Sequence, residues 1–305
     1  SATGITSGGQ ANLYSSSRGT VVHRAFDGGV EFSTSAEGHN NQLIRQTRRY
    51  FRYQSGKGLQ MSTGTLLKPQ ISIDSLTSSG VLVTVRTKYS HQISTNVSIQ
   101  IANADQSAYN GTFTVRDVID PYTFTYVANS TPSAATATGL YRMSVNSWYG
   151  AANRVGMFDD QNGIFFEFDG QQIYAVRRSS TYQISGFVSA NVANTIVNGI
   201  TYNGATTKFS TELAVGDYVV IKGMSYRVTE ILSDQQLSIS PAYRGEVPAV
   251  QATVTKTIDL KIPQSQWNID RCDGTGPSGY ILDLTKMQML YLDYSWYGAG
   301  FIRWG

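Results

Sequence analysis

Apolar and polar residues alternate with a period of two through much of the chain. Runs at 81–88, 97–102, 112–118 and 123–127 show this pattern. It marks strands with one buried face. Turn residues Asn110-Gly111 and Asp120-Pro121 separate the runs. Together they predict a β-module over 71–139. A second series at 218–223, 226–231 and 237–239 predicts a related module over 187–249. The three runs match 97–101, 113–118 and 124–126 of the first module in turn. Between the modules, the Asp159–Gly163 turn leads into 164–168, an Asp169-Gly170 turn and 173–176, which reads as a hairpin. Val21, His23, Phe26, Val30 and Phe32 flank Asp27-Gly28-Gly29 and predict a shorter hairpin.

One segment has a different period. Leu43, Ile44, Thr47, Tyr50 and Phe51 fall at i, i+1, i+4, i+7 and i+8. Arg45, Arg48, Arg49 and Arg52 fall on the other side. This spacing predicts an amphipathic helix over 40–53, capped by Asn40 or Asn41 and ended by Gly56 and Gly58. The whole chain then reads as mainly β. An N-terminal arm (1–19) precedes a mixed core built from 20–70, 140–186 and 250–305. That core carries the helix, and two β-sandwich-like or barrel-like inserts (71–139 and 187–249) interrupt it. Insertion into surface loops costs little.

The pentapeptide Ser-Trp-Tyr-Gly-Ala occurs at 147–151 and again at 295–299, in a chain with only four Trp. Each copy follows a strand-like run and precedes small residues and a second apolar run. The reading is one strand–turn–strand unit used twice, a pattern of building-block proteins rather than enzymes. Trp148, Tyr149, Trp296 and Tyr297 are then candidates for subunit contacts, with core packing beside a Gly turn as the alternative.

Composition narrows the function classes. Charged residues are 15% of 305, against roughly 25% in ordinary soluble domains. Tyr, with 19 residues, is abundant. Such a surface suits large protein contacts. A net charge of +3 is too mild to argue for nucleic acid. The single cysteine, Cys272, excludes an intrachain disulfide and any multi-thiolate metal site. No apolar run approaches the roughly 18 residues of a membrane-spanning helix, and no signal peptide is visible. The chain starts without Met and stops abruptly, which suggests processing or a segment of something longer.

Candidate chemistry is sparse. His23, His39 and His91 have no metal-ligand spacing. Cys272 lies between acids that raise a thiol pKa and Arg271, which lowers it. Asp159, Asp160, Glu167 and Asp169 contain the makings of a carboxylate pair, but Asp-Gly and Asn-Gly are also ordinary turn chemistry. Asp270, Asp273 and Gly274 do not have calcium-loop spacing. Gly56-Lys57-Gly58 and Gly64-Thr65 lack the phosphate-loop spacing. No catalytic, cofactor or metal residue is assigned, and the expectation is a protein that is not an enzyme. The four arginines stand out. Arg makes bidentate pairs with carboxylates, so an acidic neighbouring subunit is the expected partner of Arg45, Arg48, Arg49 and Arg52. A solvated face and nucleic acid are the alternatives.

Three stretches resemble virion structural proteins of contractile-tailed bacteriophages, the marine cyanophage type in particular. They are 37–68 (EGHNNQLIRQTRRYFRYQSGKGLQMSTGTLLK), 153–186 (NRVGMFDDQNGIFFEFDGQQIYAVRRSSTYQISG) and 264–305. Tyr109-Asn110-Gly111-Thr112-Phe113-Thr114-Val115, with Thr123-Phe124-Thr125-Tyr126, is similar to β-modules that recur in such virions. The resemblance implies a component of the tail, baseplate or fibre-attachment region. It would assemble in the host cytoplasm with copies of itself and neighbouring virion proteins, without cofactor or membrane. It carries no catalytic residue to this chain, and it implies related chains that run past the equivalent of Gly305. The alternative is a tail-tip or fibre protein that binds host glycan, and behind it a polysaccharide depolymerase.

Overall fold

The computed structural model describes residues 11–15, 19–24, 28–34, 42–47, 51, 56–68, 70–88, 91, 93–139, 143–147, 152–295 and 300–305. The protein is mainly β, with several sheets and one short α-helix among these residues. It divides into two compact units. The first comprises Ser1–Lys57, Leu66–Ala151 and Leu284–Lys286; the second comprises Gly58–Thr65, Ala152–Asp283 and Met287–Gly305.

In the first unit, β1 (Ala11–Ser15) pairs antiparallel with a distant strand. Between them lies a hairpin of β2 (Gly19–Arg24) and β3 (Gly29–Thr34), with Gly28 at φ +61° in its turn. The distant strand is β4 (Leu43–Thr47), with Arg45 opposite Leu13. The helix expected over 40–53 is therefore corrected: its described centre is a strand. Ile, Thr, Tyr and Phe fit a pleated surface as well as a helical stripe, and pairing with β1 decides between them. The next strand, β5 (Gly58–Thr65), belongs to the second unit. It absorbs Gly64-Thr65, so that glycine-rich stretch is a strand rather than a loop.

Six strands then close a barrel: β6 (Ile71–Ser79), β7 (Leu82–Thr87), β8 (Ser98–Ala102), β9 (Gly111–Asp120), β10 (Thr123–Val127) and β11 (Ser144–Ser147). Their order is β10-β7-β6-β11-β8-β9. Alternate residues point inward, so Leu76, Val85, Ile99, Val115, Phe124 and Val145 form one buried cluster. Phe113 stacks on Tyr126 at 4.3 Å, and the Tyr126 hydroxyl donates to the Tyr109 carbonyl at 2.9 Å.

The main segment of the second unit, Ala152–Asp283, opens with a meander of β12 (Asn153–Phe158), β13 (Gly163–Phe168) and β14 (Ile173–Gln183). There follow β15 (Phe187–Ala190), β16 (Ile196–Ile200), the single-turn helix α1 (Phe209–Glu212), β17 (Tyr218–Ile221), β18 (Met224–Ser233), β19 (Gln236–Ser240), β20 (Ala249–Ala252) and β21 (Val254–Pro263). The sheet order is β12-β13-β14-β21-β17-β18-β19-β16-β15-β20. Only Thr253 separates β20 from β21. One interrupted strand thus pairs with β15 through its first half and with β17 through its second. The ladder returns on itself, and a second six-stranded ring results.

The two rings share one register. Ile99–Phe113 and Val219–Tyr226 are equivalent pairs of β8–β9 and β17–β18. Val115–Tyr126 corresponds to Val228–Ile239, Asp117–Thr125 to Glu230–Ser238, and Val118–Phe124 to Ile231–Leu237. Both long strands carry an extra residue at the same two places, Arg116 and Ile119 in β9 and Thr229 and Leu232 in β18. Val85–Phe124 corresponds to Val197–Leu237, and Ile101–Val145 to Ile221–Val254. Even the entry turns agree. Asn96 (φ +66°) donates to Val115 O at 2.9 Å, and Gly216 (φ +99°) donates to Val228 O at 2.8 Å. The match of 218–223 to 97–101 therefore settles with Val219 on Ile99. A slip of one residue would turn the buried faces outward. The closing strands β11 and β21 come from stretches that the sequence reading gave to the core.

The rings differ in several connections, and the contrast is plainest between their first two meander strands. In the first ring, eight residues (103–110) join β8 to β9. Asn110 holds that loop by accepting from Ala104 N at 2.9 Å and donating to Ala104 O at 2.8 Å. In the second, Lys222-Gly223 makes a two-residue turn with φ +50° and +79°. Such turns prefer Asn-Gly.

The last sheet places β22 (Gln288–Ser295) between β5 and β23 (Phe301–Trp304). The repeated pentapeptide loses its expected meaning here. Ser295 ends β22, which pairs with β23, whereas Ser147 ends β11, and β11 and the following β12 lie in different sheets. The strand–turn–strand unit is not reused.

Lys222 occupies a left-handed conformation that costs a side chain about 1–2 kcal/mol. Lys222→Asn should raise unfolding stability by roughly 1 kcal/mol, read from the midpoint of a urea titration.

Candidate functional site

Of the eight interface candidates, the structure describes Arg45 alone. It lies exposed on β4. Arg48, Arg49, Arg52, Trp148, Tyr149, Trp296 and Tyr297 lie outside the described residues.

The acidic candidates have local tasks. Asp159 Oδ1 accepts from Gln161 N (2.7 Å) and Asn162 N (2.8 Å), which fixes the β12–β13 turn. Asp169 Oδ1 does the same for β13–β14, accepting from Gln171 N (2.9 Å) and Gln172 N (3.0 Å). Asp160 is exposed. Glu167, 1% exposed, lies between two cations, one on the neighbouring β12 and one on β21, which lies across β14. Arg154 Nε donates to its Oε2 at 2.6 Å and Lys261 Nζ to its Oε1. These two reach water, at 36% and 41% exposure. On the same face Arg178 holds Asp259 with two bonds of 2.8 and 2.9 Å. Burial works against the charge on Asp259, but the Arg178 bonds and charge outweigh it and keep the carboxyl below its ordinary range. The register brings Arg154, Glu167 and Lys261 together. Sequence spacing gives no sign of it, because they sit on three strands.

The Cys272 loop is also closed on itself. Asp270 accepts from Cys272 N (2.7 Å) and Ser278 N (2.8 Å), and Asp273 from Thr275 N (2.9 Å). Burial, followed by the charge of Asp270, pushes the Cys272 thiol up and away from the reactive thiolate. Among the described residues no group of three or more His, Cys, Asp or Glu side chains is placed to hold a metal ion.

His91 is buried in the first barrel. Its Nδ1 accepts from Ile93 N at 2.9 Å, so Nε2 carries the hydrogen and donates to the Asp120 carbonyl at 3.0 Å. Burial pushes its pKa below the ordinary 6.5, against bonds and charge from Asp120 that favour the proton.

A groove of about 490 Å³ runs over the outer face of β8–β9–β10, lined by Asn96, Ser98, Thr112, Thr114, Arg116 and Asn129 with Val127. No family model, curated protein or solved structure matches the chain.

Removing the Glu167 charge leaves two cations side by side. Glu167→Gln should cost about 1–3 kcal/mol, less than the roughly 3–5 kcal/mol for a fully buried pair, because both cations can turn to water. Chemical denaturation at neutral pH measures this. For His91, the unfolded chain takes up a proton near pH 6.5 and the folded chain only lower. Stability is complete above 6.5 and falls as pH drops toward the folded value. That slope should vanish in His91→Phe, while stability at pH 8 drops because Ile93 N–H loses its acceptor.

Proposed function

We propose that the chain is a structural component of a larger protein particle, of the kind its sequence resembles in contractile-tailed phage virions. The observation that carries this reading is the β1–β4 ribbon. Its two strands pair only with each other among the described residues. From Ile44 to Thr47, β4 is exposed. A two-stranded ribbon is marginal in water by itself, and a strand at a sheet edge is a template for another chain. The partner is another copy or a neighbouring particle protein. It pairs with the ribbon or covers it, and an acidic surface meets Arg45.

Other features support the same reading. Large apolar side chains stand exposed on the second unit, with Ile269 at 80% and Met289 at 73%. In the three-stranded sheet, β5 and β23 each pair only with β22 among the described residues. Charge is scarce and Tyr plentiful, as at subunit contacts. The carboxylates best suited to catalysis serve turns or ion pairs. Copies joined by symmetry would multiply individually weak contacts.

Mass photometry with negative-stain imaging tests this. The wild-type chain, alone or with its particle neighbours, should form discrete assemblies. Arg45→Glu with Arg49→Glu should raise the concentration needed for assembly by about tenfold or more, since misplaced charge slows and weakens docking. Its far-ultraviolet spectrum should not change. Assembly at wild-type concentrations by the double variant would sink the role of these arginines.

A further inference from the structure

We infer that the outer groove of the first barrel is a binding site for a neutral carbohydrate. The comparison between the two rings carries the inference. Ser98 on β8 faces Thr114 on β9, and the equivalent pair on β17–β18 is Tyr218 and Arg227. In the second ring those large side chains are half-buried and fill the space. The Arg227 guanidinium comes within 3.7 Å of where a Cβ would stand on Gly216, the counterpart of Asn96. In the first ring, with the same backbone register, two small hydroxyl residues leave the groove open. Its volume, about 490 Å³, lies within the roughly 300–1,000 Å³ of small-ligand sites.

The lining selects the class of ligand. Asn96, Ser98, Thr112, Thr114 and Asn129 offer amides and hydroxyls. None of these side chains has an intrachain hydrogen bond among the described residues. The one cation, Arg116, lies 3.3 Å from Asp117, so the rim carries no net charge. Val127 adds an apolar patch. A ring of donors and acceptors without net charge matches the hydroxyls of a sugar. It does not suit a polyanion, which needs several unpaired cations. An extended peptide is also disfavoured. Strands β8, β9 and β10 are each paired on both sides in the closed barrel, so no edge is open for strand addition. The site stands apart from the assembly reading, since it needs nothing outside the first barrel.

The test is isothermal titration of the full chain with a panel of neutral oligosaccharides (glucans, mannans and N-acetylglucosamine oligomers) and, as a contrast, uronic-acid oligomers. At least one neutral sugar should bind. Ser98→Tyr with Thr114→Arg should weaken that binding tenfold or more. The pair should fold, because the second ring accommodates it at the same register. Thr112→Val with Asn129→Ala removes bonding groups without filling the groove, and it should weaken binding at least threefold. Absence of binding across the neutral panel, binding of the acidic oligomers alone, or wild-type affinity in both variants would each overturn the assignment. Failure to assemble while the sugar still binds would count against the particle reading and leave this one standing.

Discussion

A backbone ladder that closes on itself leaves no strand edge to satisfy, and both rings of this protein depend on that closure. In each, a three-stranded meander supplies half of the wall. The last strand arrives from further along the chain to bridge the meander to the opening hairpin. Everything at the surface follows from this. Once the ladder is closed, alternate residues are committed to the interior, and the outward residues are free to vary. Ser98 and Thr114 can become Tyr218 and Arg227 without disturbing a single backbone bond.

The extra residues in β9 and β18 belong to the same constraint. A bulge adds twist and bends a strand. Two bulges at equivalent positions curl both long strands past the end of the ring, where consecutive residues are mostly exposed. The same device, retained in two rings whose surfaces differ, marks it as part of the barrel design and not of either surface.

Much of the strand pattern was legible in the sequence. The alternation at 97–102, 112–118 and 123–127 and the Asp120-Pro121 turn each correspond to an observed element. Local signals suffice where strands are neighbours in the chain. They fail where the partner is remote. Nothing near 43–47 announces that Ala11–Ser15 will pair with it, so a 3.6-residue stripe looked like a helix. The groove was hidden for a related reason. Ser98 and Thr114 are ordinary strand residues until the register sets them side by side. The Glu167 cluster needs four strands aligned, β14 among them, before its charges meet. The repeated pentapeptide misled in the other direction, because identical residues end strands of unrelated sheets.

The long strand β21 has β14 on one side and β17 on the other. Its first residues, Val254–Lys256, belong to the wall of the second ring, and from Thr255 to Pro263 it extends the neighbouring meander by a fourth strand. A hairpin at the end of a sheet can be peeled off one bond at a time. The start of β21 cannot, because Thr255 and Lys256 are laddered to β14 on one flank and to β17 on the other. Tension that reached this end of β21 would therefore load the ring and the meander at once. The ladders of the ring and the meander are thus stitched together at a single short stretch of one strand.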